Sequence, residues 1–195
     1  MLSDLRSALR PALIFTLLFA LLLGLAYPLA LTGIGQTLFP RQANGSLLRE
    51  GGRVAGSTLI GQTFVSDLYF HGRPSAAGAN GYDAAASAGS NLGPASKALA
   101  DRVRGDVEAF IATAPGRNVP SDLVTTSASG LDPHISPEAA LYQADRIARA
   151  RRLPVDQVRA LVRAQAEYPL LGFIGEPRVN VLALNLALDR EAKRP

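Results

Sequence analysis

The uncharged run from Pro11 to Leu31, "PALIFTLLFALLLGLAYPLAL", constrains this chain more than any other feature. A helix rises about 1.5 Å per residue, so roughly 21 residues cover about 31 Å, the thickness of a bilayer's hydrocarbon core. The run therefore predicts a transmembrane helix over residues 11–31. Pro28 should bend or end that helix, and Tyr27 is typical of an aromatic residue at the membrane interface.

A cleaved signal peptide is the alternative interpretation of this run. The apolar part of such a peptide usually has about 7–15 residues and is followed by a small-x-small cleavage site. Here the run is longer, and Pro28, Leu29 and Leu31 stand where cleavage should occur. The sequence therefore favours a retained membrane anchor.

The charges that flank the run predict its orientation. Arg6, Arg10 and the α-amino group lie on its N-terminal side against Asp4, whereas Arg41 is the only base soon after it. Positive flanking charges favour the cytoplasmic side of a membrane. Residues 1–10 are therefore expected in the cytoplasm, and the chain that follows the span is expected outside it.

The rest of the chain predicts a short connector and one domain. Residues 32–50 are rich in Gly, Gln, Asn and Pro and lack a sustained apolar period, which predicts a juxtamembrane connector. Residues 51–195 have the length of a single soluble domain. The chain contains no cysteine, which fits either side of the membrane.

The formal charge of +4 comes mostly from arginine, and four arginines lie on one predicted helix: Arg146, Arg149, Arg151 and Arg152. Such a run could bind nucleic acid or anionic lipid. The chain shows no nucleic-acid-binding motif and no aromatic residues interleaved with these bases, so nucleic acid is not an expected partner. The arginines are expected to form a solvated helix face.

Periodicity and turn residues predict an α/β (α+β) domain. "GRVAGSTLIGQTF" (52–64) indicates short strands, and the Gly-, Ala- and Ser-rich residues 72–93 predict a surface loop that is either mobile or ordered by a partner. Apolar residues at helical spacing predict helices that start near Pro94, Ser136 and Pro154, and the short joint between the last two predicts that they form a helical hairpin. After Pro177 a helix is favoured, although the alternating Leu182, Leu184, Leu186 and Leu188 leave a strand open.

The stretch "SGLDPHISP" (129–137) contains one of two histidines and has two interpretations. Asp132, His134 and Ser136 could form a hydrolase set, or Asp132 and His134 part of a metal site. A triad normally draws on distant segments, no G-x-S-x-G motif is present, and His71 is the only other histidine. The favoured interpretation is a turn followed by a helix that Ser136 caps.

Two further stretches could bind an anion. Arg73 in "HGRPSA" could clamp one, although a surface salt bridge is favoured. Ser90, Asn91 and Gly93 precede a predicted helix start, where free N–H groups can bind phosphate. The lysine of a nucleotide-binding loop is missing, so these three residues are weak cofactor candidates and a turn capped by Asn91 is favoured.

These stretches also carry a resemblance. The N-terminal span followed by "FHGRPSA", "SNLGP", "SASGLDPHISP" and "GEPRVNVLALNLALD" resembles, over essentially the whole chain, the C-subunit family of bacterial potassium-transporting Kdp P-type ATPases. Ala88 stands where that family usually has a glycine. The resemblance implies a single-pass subunit of the bacterial inner membrane beside a channel-like potassium-binding subunit, an ATP-hydrolysing P-type subunit and a small single-span subunit.

The resemblance implies a non-catalytic role, since the Asp-Lys-Thr-Gly motif of the phosphorylated subunit is absent. The family is described as an assembly factor and as a subunit that raises ATP affinity. A domain outside the membrane could reach ATP only through its partners, so assembly and an external role near the potassium entrance are favoured. Direct ATP binding is the runner-up, and ATP is expected at most weakly. A membrane-tethered hydrolase and an independent binding module remain alternatives.

Candidate partner-binding residues lie in the span and in the matching stretches. Small residues at four-residue spacing give the span a face on which other helices could pack, although such a face can also arise by chance. The candidates in the span are Thr16, Ala20 and Gly24, and those in the domain are Arg73, Asp132, His134, Arg178 and Asn180.

Overall fold

The computed structural model describes residues 2–192 of the 195-residue chain, with the surroundings of side chains 6–191. The chain divides into two units, Met1–Leu47 and Leu48–Pro195. The first is helical, and the second combines helices with two small sheets. This mixed organisation agrees with the α+β form of the predicted fold class.

The N-terminal unit contains the predicted membrane helix. It consists of α1 (Leu2–Leu21), a π-helical turn (Leu22–Ala26), α2 (Tyr27–Leu38) and the short α3 (Pro40–Ala43). Within the described residues, the helix Arg6–Leu38 is long and apolar enough to cross a membrane, and its side chains are not buried within the chain. At about 1.5 Å per residue it is roughly 50 Å long, more than one hydrocarbon core.

The helix continues past Pro28, where the sequence predicted a bend or an end. Proline has no N–H to give to the carbonyl four residues earlier, and its ring crowds that carbonyl. The π-helical turn just before Pro28 shifts the backbone pairing, so that the Tyr27 N–H bonds to the Leu22 carbonyl. The helix therefore includes residues 32–38, which the sequence placed in the connector.

In the second unit, the described residues form a two-stranded sheet, a three-stranded sheet and four helices. Strands β1 and β2 pair with each other, and the other sheet has the order β3-β5-β4 with antiparallel pairs. The elements are β1 (Leu47–Glu50), β2 (Arg53–Ser57), α4 (Lys97–Thr113), a 3₁₀ turn (Ser121–Leu123), β3 (His134–Ile135), α5 (Pro137–Arg151), α6 (Val155–Gln165), β4 (Ala166–Glu167), β5 (Arg178–Asn180) and α7 (Val181–Ala192).

Helices α5 and α6 form the predicted helical hairpin. Ser136 caps α5, because its Oγ accepts a hydrogen bond from the Ala139 N–H at 3.0 Å. Arg152 in the left-handed conformation ends α5. Ile147 on α5 and Val158 and Val162 on α6 lie in the main core. The sequence therefore predicted both helices correctly.

Helix α4 differs from the prediction. It begins at Lys97 rather than near Pro94, after a turn closed by the Ser96 N–H and the Gly93 carbonyl at 2.9 Å. Its apolar face is only partly buried, and Ile111 is exposed. The apolar spacing identified the helix, but how far its apolar face is buried depends on which elements pack against it.

Helix α7 confirms the favoured prediction for the end of the chain, with strand β5 placed between Pro177 and the helix. Leu182, Leu184 and Leu188 are all buried. The alternating leucines do not make a strand, because α7 is covered on more than one side and so needs apolar residues around most of its circumference.

A segment without helix or strand, residues 67–71, is held by side chains from α5 and α7. It begins in a turn that the Tyr69 N–H and the Ser66 carbonyl close at 3.0 Å. The Asn185 amide accepts from the Phe70 N–H at 2.9 Å and donates to the Phe70 carbonyl at 3.0 Å. The Gln143 amide does the same for His71, at 2.8 and 3.0 Å. Asn185 and Gln143 are both buried, so each amide replaces the backbone pairing that a neighbouring strand would supply. We call this arrangement the amide clamp.

Two of the four arginines expected on a solvated face lie instead against the same segment, Arg146 buried and Arg151 partly buried. Arg146 donates to the Asp67 carbonyl at 2.7 Å and to the Tyr69 carbonyl at 2.9 Å. Arg151 pairs with Asp189 at 2.7 Å and stacks on the Tyr69 ring. The expectation of a wholly solvated face is therefore wrong, because carbonyl groups of a segment without a strand partner need donors.

Replacement of the clamp amide tests this account. Asn185→Leu keeps a side chain of similar size but leaves the buried Phe70 N–H and carbonyl without partners, so we expect a loss of roughly 3 kcal/mol in the free energy of unfolding. The exposed Asn118 provides the matched control, and Asn118→Leu should change stability by less than about 0.5 kcal/mol. Urea unfolding of the detergent-solubilised chain measures both, and equal stability of the two variants would contradict the clamp.

Candidate functional site

A cavity of about 390 Å³ lies where β3 leads into α5 and where the chain enters β5. It contains four of the five candidate residues that the sequence placed in the domain. Its lining residues are Arg73, Asp122, Asp132, His134, Ile135, Ser136, Glu176, Pro177 and Arg178. The fold thus brings together the stretches around Arg73, around His134 and around Arg178, which are far apart in the sequence.

Arg73 forms the salt bridge that the sequence favoured over anion binding. Its guanidinium lies 3.1 Å from the Asp132 carboxylate. It also donates to the Thr125 carbonyl at 3.2 Å, to the Thr125 hydroxyl at 3.3 Å and to the Thr126 carbonyl at 3.4 Å. Arg73 therefore fastens the start of the glycine-rich loop to residues 125–132, and most of its donors are already in use.

Asp132 organises the turn around His134. Its Oδ1 accepts from the His134 N–H at 3.0 Å and lies 3.6 Å from the His134 Nδ1. Burial alone would raise the pKa of Asp132, but the hydrogen bonds from His134 and the charge of Arg73 outweigh it and lower that pKa. Asp132 is therefore an ionised anchor of the turn.

Ser136 is not arranged as a nucleophile. Its hydroxyl lies 3.2 Å from Asp122 Oδ1, to which it donates, and it accepts from the Ala139 N–H. The Ser136 N–H donates to the other Asp122 oxygen at 2.7 Å. Since both roles of the hydroxyl serve the start of α5, the favoured interpretation of "SGLDPHISP" as a turn and helix start agrees with the structure.

The remaining two domain candidates differ in exposure. Arg178 is exposed and pairs with Glu167 at 2.9 Å across β4 and β5. Asn180 is buried: its amide donates to the Thr58 carbonyl at 2.9 Å, and its Oδ1 accepts from the Ala183 N–H at 3.0 Å. Asn180 therefore caps α7 within the domain, and a role for it towards a partner stays a prediction.

The glycine-rich loop is ordered by the chain itself, although it contains no helix or strand. Ser75 Oγ donates to the Gly130 carbonyl at 2.5 Å and accepts from the Tyr82 N–H at 2.7 Å. The Tyr82 hydroxyl donates to the Arg73 carbonyl at 2.7 Å, and burial raises the pKa of Tyr82 to about 12. A Cβ at Gly130, whose φ is +66°, would lie 2.5 Å from the Ala88 carbonyl oxygen, so this position requires glycine.

The weak phosphate candidates do not form a cradle. Asn91 and Gly93 are exposed, and Ser90 is partly exposed. Helix α4 starts at Lys97, so these residues precede it by more than a turn and not by the one residue that an N-terminal anion site requires. The geometry therefore gives no support to a nucleotide at residues 90–93.

The small residues of the span lie on the exposed N-terminal helix. Thr16, Ala20 and Gly24 are all exposed, and Gly24 lies within the π-helical turn. A Cβ built at Gly24 meets no atom within 4 Å. A larger side chain there is therefore tolerated by this chain alone, and any effect of one must come from outside it.

Several organising residues escaped the sequence reasoning. Residues 67–71 are held by Gln143 and Asn185, and the start of α5 is held by Asp122. The glycine-rich loop is held by the hydrogen bond from the Tyr82 hydroxyl to the Arg73 carbonyl. The one signal was a polar amide in the buried stripe of each helix: Gln143 beside Ala144, and Asn185 beside Leu184. A buried amide must find partners, but the sequence does not say which backbone groups it pairs with.

Comparison with known proteins identifies relatives along the whole chain. The profile of the KdpC family, described as "K+-transporting ATPase, c chain", matches residues 9–190. Over the full length of both proteins, the chain is 58% identical to the potassium-transporting ATPase KdpC subunit of Methylorubrum extorquens. It is 61% identical to the protein of that name from Caulobacter vibrioides, over 97% of this chain and 94% of that protein. It is 59% identical to the protein of that name from Bradyrhizobium diazoefficiens, over 88% of this chain and 90% of that protein.

The Asp132 contacts predict a pH-dependent stability difference. Asp132→Asn removes a carboxylate that accepts from His134 and Arg73, so we expect a loss of about 2 kcal/mol in the free energy of unfolding at neutral pH. Because the folded pKa lies below the ordinary value of 3.8, this stabilisation is complete above that pH and is lost as the pH falls through the folded pKa. The difference from the unmodified chain should therefore shrink below pH 3.8.

Unfolding of both proteins in urea at neutral and acidic pH measures this difference. Asp156→Asn is the control, since the Asp156 side chain is 92% exposed and should matter little at any pH. A difference for Asp132→Asn that stays constant with pH would show that the carboxylate charge does not hold the turn.

Proposed function

The chain belongs to the KdpC family and is a component of a Kdp potassium-transporting ATPase, and we propose that within this complex it is a non-catalytic accessory subunit. Its role is to assemble and stabilise a high-affinity, ATP-driven potassium uptake pump. The partners in this proposal are a channel-like potassium-binding subunit, an ATP-hydrolysing P-type subunit and a small single-span subunit, together with the lipid bilayer.

The observation that carries the proposal is a difference between the two units: the first exposes a long apolar helix, and the polar cavity residues of the second are used mainly to hold its own fold. The helix Arg6–Leu38 has none of its side chains buried within the chain, so it needs lipid or other helices around it. In the second unit, the polar residues gathered at the cavity are engaged with one another and with the backbone. A membrane anchor combined with a domain whose polar cavity residues are engaged in holding the fold suits a scaffold better than a catalyst.

The proposed topology places the N-terminus in the cytoplasm and the second unit outside it. The positive charges before the span support this orientation. In that arrangement the second unit cannot touch cytoplasmic ATP, and any influence on ATP affinity passes through the membrane-spanning parts as a coupling between distant sites. Residues 90–93 form no anion-binding site at a helix N-terminus, which agrees with an indirect influence rather than a direct ATP site.

A hydrolase is less well supported. Asp132 and His134 are close to each other, but the hydroxyl of Ser136 is engaged in the start of α5. A catalytic set requires a nucleophile within hydrogen-bond reach of its base. Replacement of His134 would have to abolish an activity, with the fold intact, before this alternative gained weight.

Co-purification tests the accessory role. The chain is expressed with the other Kdp subunits, purified by a C-terminal tag from gently solubilised membranes, and its companions are identified by mass spectrometry. We expect a P-type ATPase polypeptide and a polytopic channel-like polypeptide at equal stoichiometry. Recovery of the chain alone, with the partners expressed, would sink the proposal.

A matched pair of variants tests the small-residue face. Gly24→Ile places a branched side chain on the proposed packing face, where this chain itself has room, and should reduce recovery of the partners about tenfold. Leu22→Ile, two residues away in the same π-helical segment, adds the same branching without filling a small-residue position and should leave recovery unchanged. Equal recovery from the two variants would contradict helix packing through Gly24.

A further inference from the structure

The loop between β4 and β5 exposes five large apolar side chains within seven residues. Their exposed fractions range from 52% to 76%, and no charged residue lies between Glu167 and Glu176. We call residues 168–174 the apolar hairpin. The five residues are Tyr168, Leu170, Leu171, Phe173 and Ile174.

The apolar hairpin has an ordered, hydrogen-bonded backbone. The Leu170 N–H donates to the Ile174 carbonyl at 3.2 Å, and the Ile174 N–H donates to the Leu170 carbonyl at 3.0 Å. Leu171 and Gly172 turn the chain with φ angles of +56° and +81°. At the base, β4 pairs with β5, and the Arg178 guanidinium lies 2.9 Å from Glu167. The apolar side chains are thus presented on a backbone that is already paired, which lowers the entropy lost on binding.

The exposed area is large for an unpartnered surface. Five side chains of this kind leave on the order of 500 Å² of apolar surface, near the top of the roughly 300–600 Å² of the largest patch on a typical monomer. Such patches usually mark a contact with another molecule. Phe173 and Leu171, the most exposed of the five, lie on either side of Gly172 at the tip.

We propose that the apolar hairpin inserts into an uncharged, apolar crevice of another polypeptide subunit of the Kdp complex. This inference rests on the proposed function, since it requires that the chain be held beside other subunits. The membrane anchor keeps such a subunit at high effective concentration, so a contact of about 500 Å² suffices to fix the position of the second unit.

A lipid surface fits the apolar hairpin less well. Segments that lie in the bilayer interface typically carry Lys or Arg beside their apolar residues, which attract anionic headgroups. Here carboxylates flank the tip, namely Glu167 and Glu176, and the nearby Arg178 is paired with Glu167. Since Arg178 is already paired with Glu167, anionic headgroups would find no free basic group among residues 167–178, whereas an uncharged protein crevice would leave the carboxylates at its rim.

A second copy of this chain fits less well for a reason of area. A stable interface between soluble partners buries about 800 Å² on each side. One hairpin supplies less than that, and a symmetric contact between two such tips would bring the glutamates at their bases towards one another. A different subunit can supply a preformed crevice, and the anchor removes the need for a larger area.

Photo-crosslinking in the complete complex tests this inference. p-Benzoylphenylalanine replaces Phe173 in the full chain, co-expressed with the other Kdp subunits, and native membranes are irradiated before purification by a C-terminal tag. The control carries the same group at Val65, which at 83% is the most exposed large apolar residue among those whose exposure the structure describes. We expect a covalent adduct with the mass of this chain plus one other Kdp subunit from position 173, at least tenfold more abundant than from position 65.

Each other result overturns the inference. Adducts with lipid alone assign the apolar hairpin to the bilayer, adducts with the mass of two copies assign it to self-association, and equal adducts from both positions show non-specific contact. The absence of an adduct at position 173, while the unmodified chain still recovers its partners, overturns the inference and leaves the accessory role standing. Loss of partners from the unmodified chain would instead contradict the accessory role.

Charge substitution gives a second, independent measurement. Phe173→Asp should reduce recovery of the other subunits about tenfold, because it places a carboxylate in an apolar crevice. Val65→Asp should leave recovery unchanged. Both side chains are exposed, so neither variant should alter the melting temperature of the chain alone. Full recovery of the partners by Phe173→Asp would contradict insertion of the tip.

Discussion

The amide clamp is the interaction on which the second unit depends. Residues 67–71 belong to no helix or strand, and Gln143 from α5 and Asn185 from α7 satisfy the N–H and carbonyl groups of His71 and Phe70. Phe70 is fully buried, so its backbone has no access to water. The two helices and this segment are therefore fixed to one another by polar contacts at the edge of an apolar core.

The cavity residues continue directly from the clamp. Arg73 follows His71 by two residues, and its pairing with Asp132 joins the clamped segment to the turn that starts α5. Asp122 holds the other side of that turn through Ser136. Most polar groups of this region therefore serve the fold, which explains how a histidine, an aspartate and a serine can lie close together without forming a catalytic set.

Two exposed apolar surfaces stand out among the described residues. One is the long apolar helix Arg6–Leu38, whose side chains are exposed, and the other is the apolar hairpin at residues 168–174. A braced domain with two apolar contact surfaces agrees with a subunit whose role is to hold a complex together. The small size of the hairpin surface makes the anchor essential, since a tethered partner requires less contact area than a freely diffusing one.

The sequence by itself determined the membrane helix, the helical hairpin, the cap at Ser136 and the family, because each depends on neighbouring residues or on ordered stretches. The tertiary structure alone decided the partners of Gln143, Asn185 and Arg146, the burial of Asn180 and the exposure of the apolar hairpin. The physical reason is that a polar side chain in a buried stripe, or an apolar run between strands, has no defined environment until distant segments pack around it or leave it uncovered.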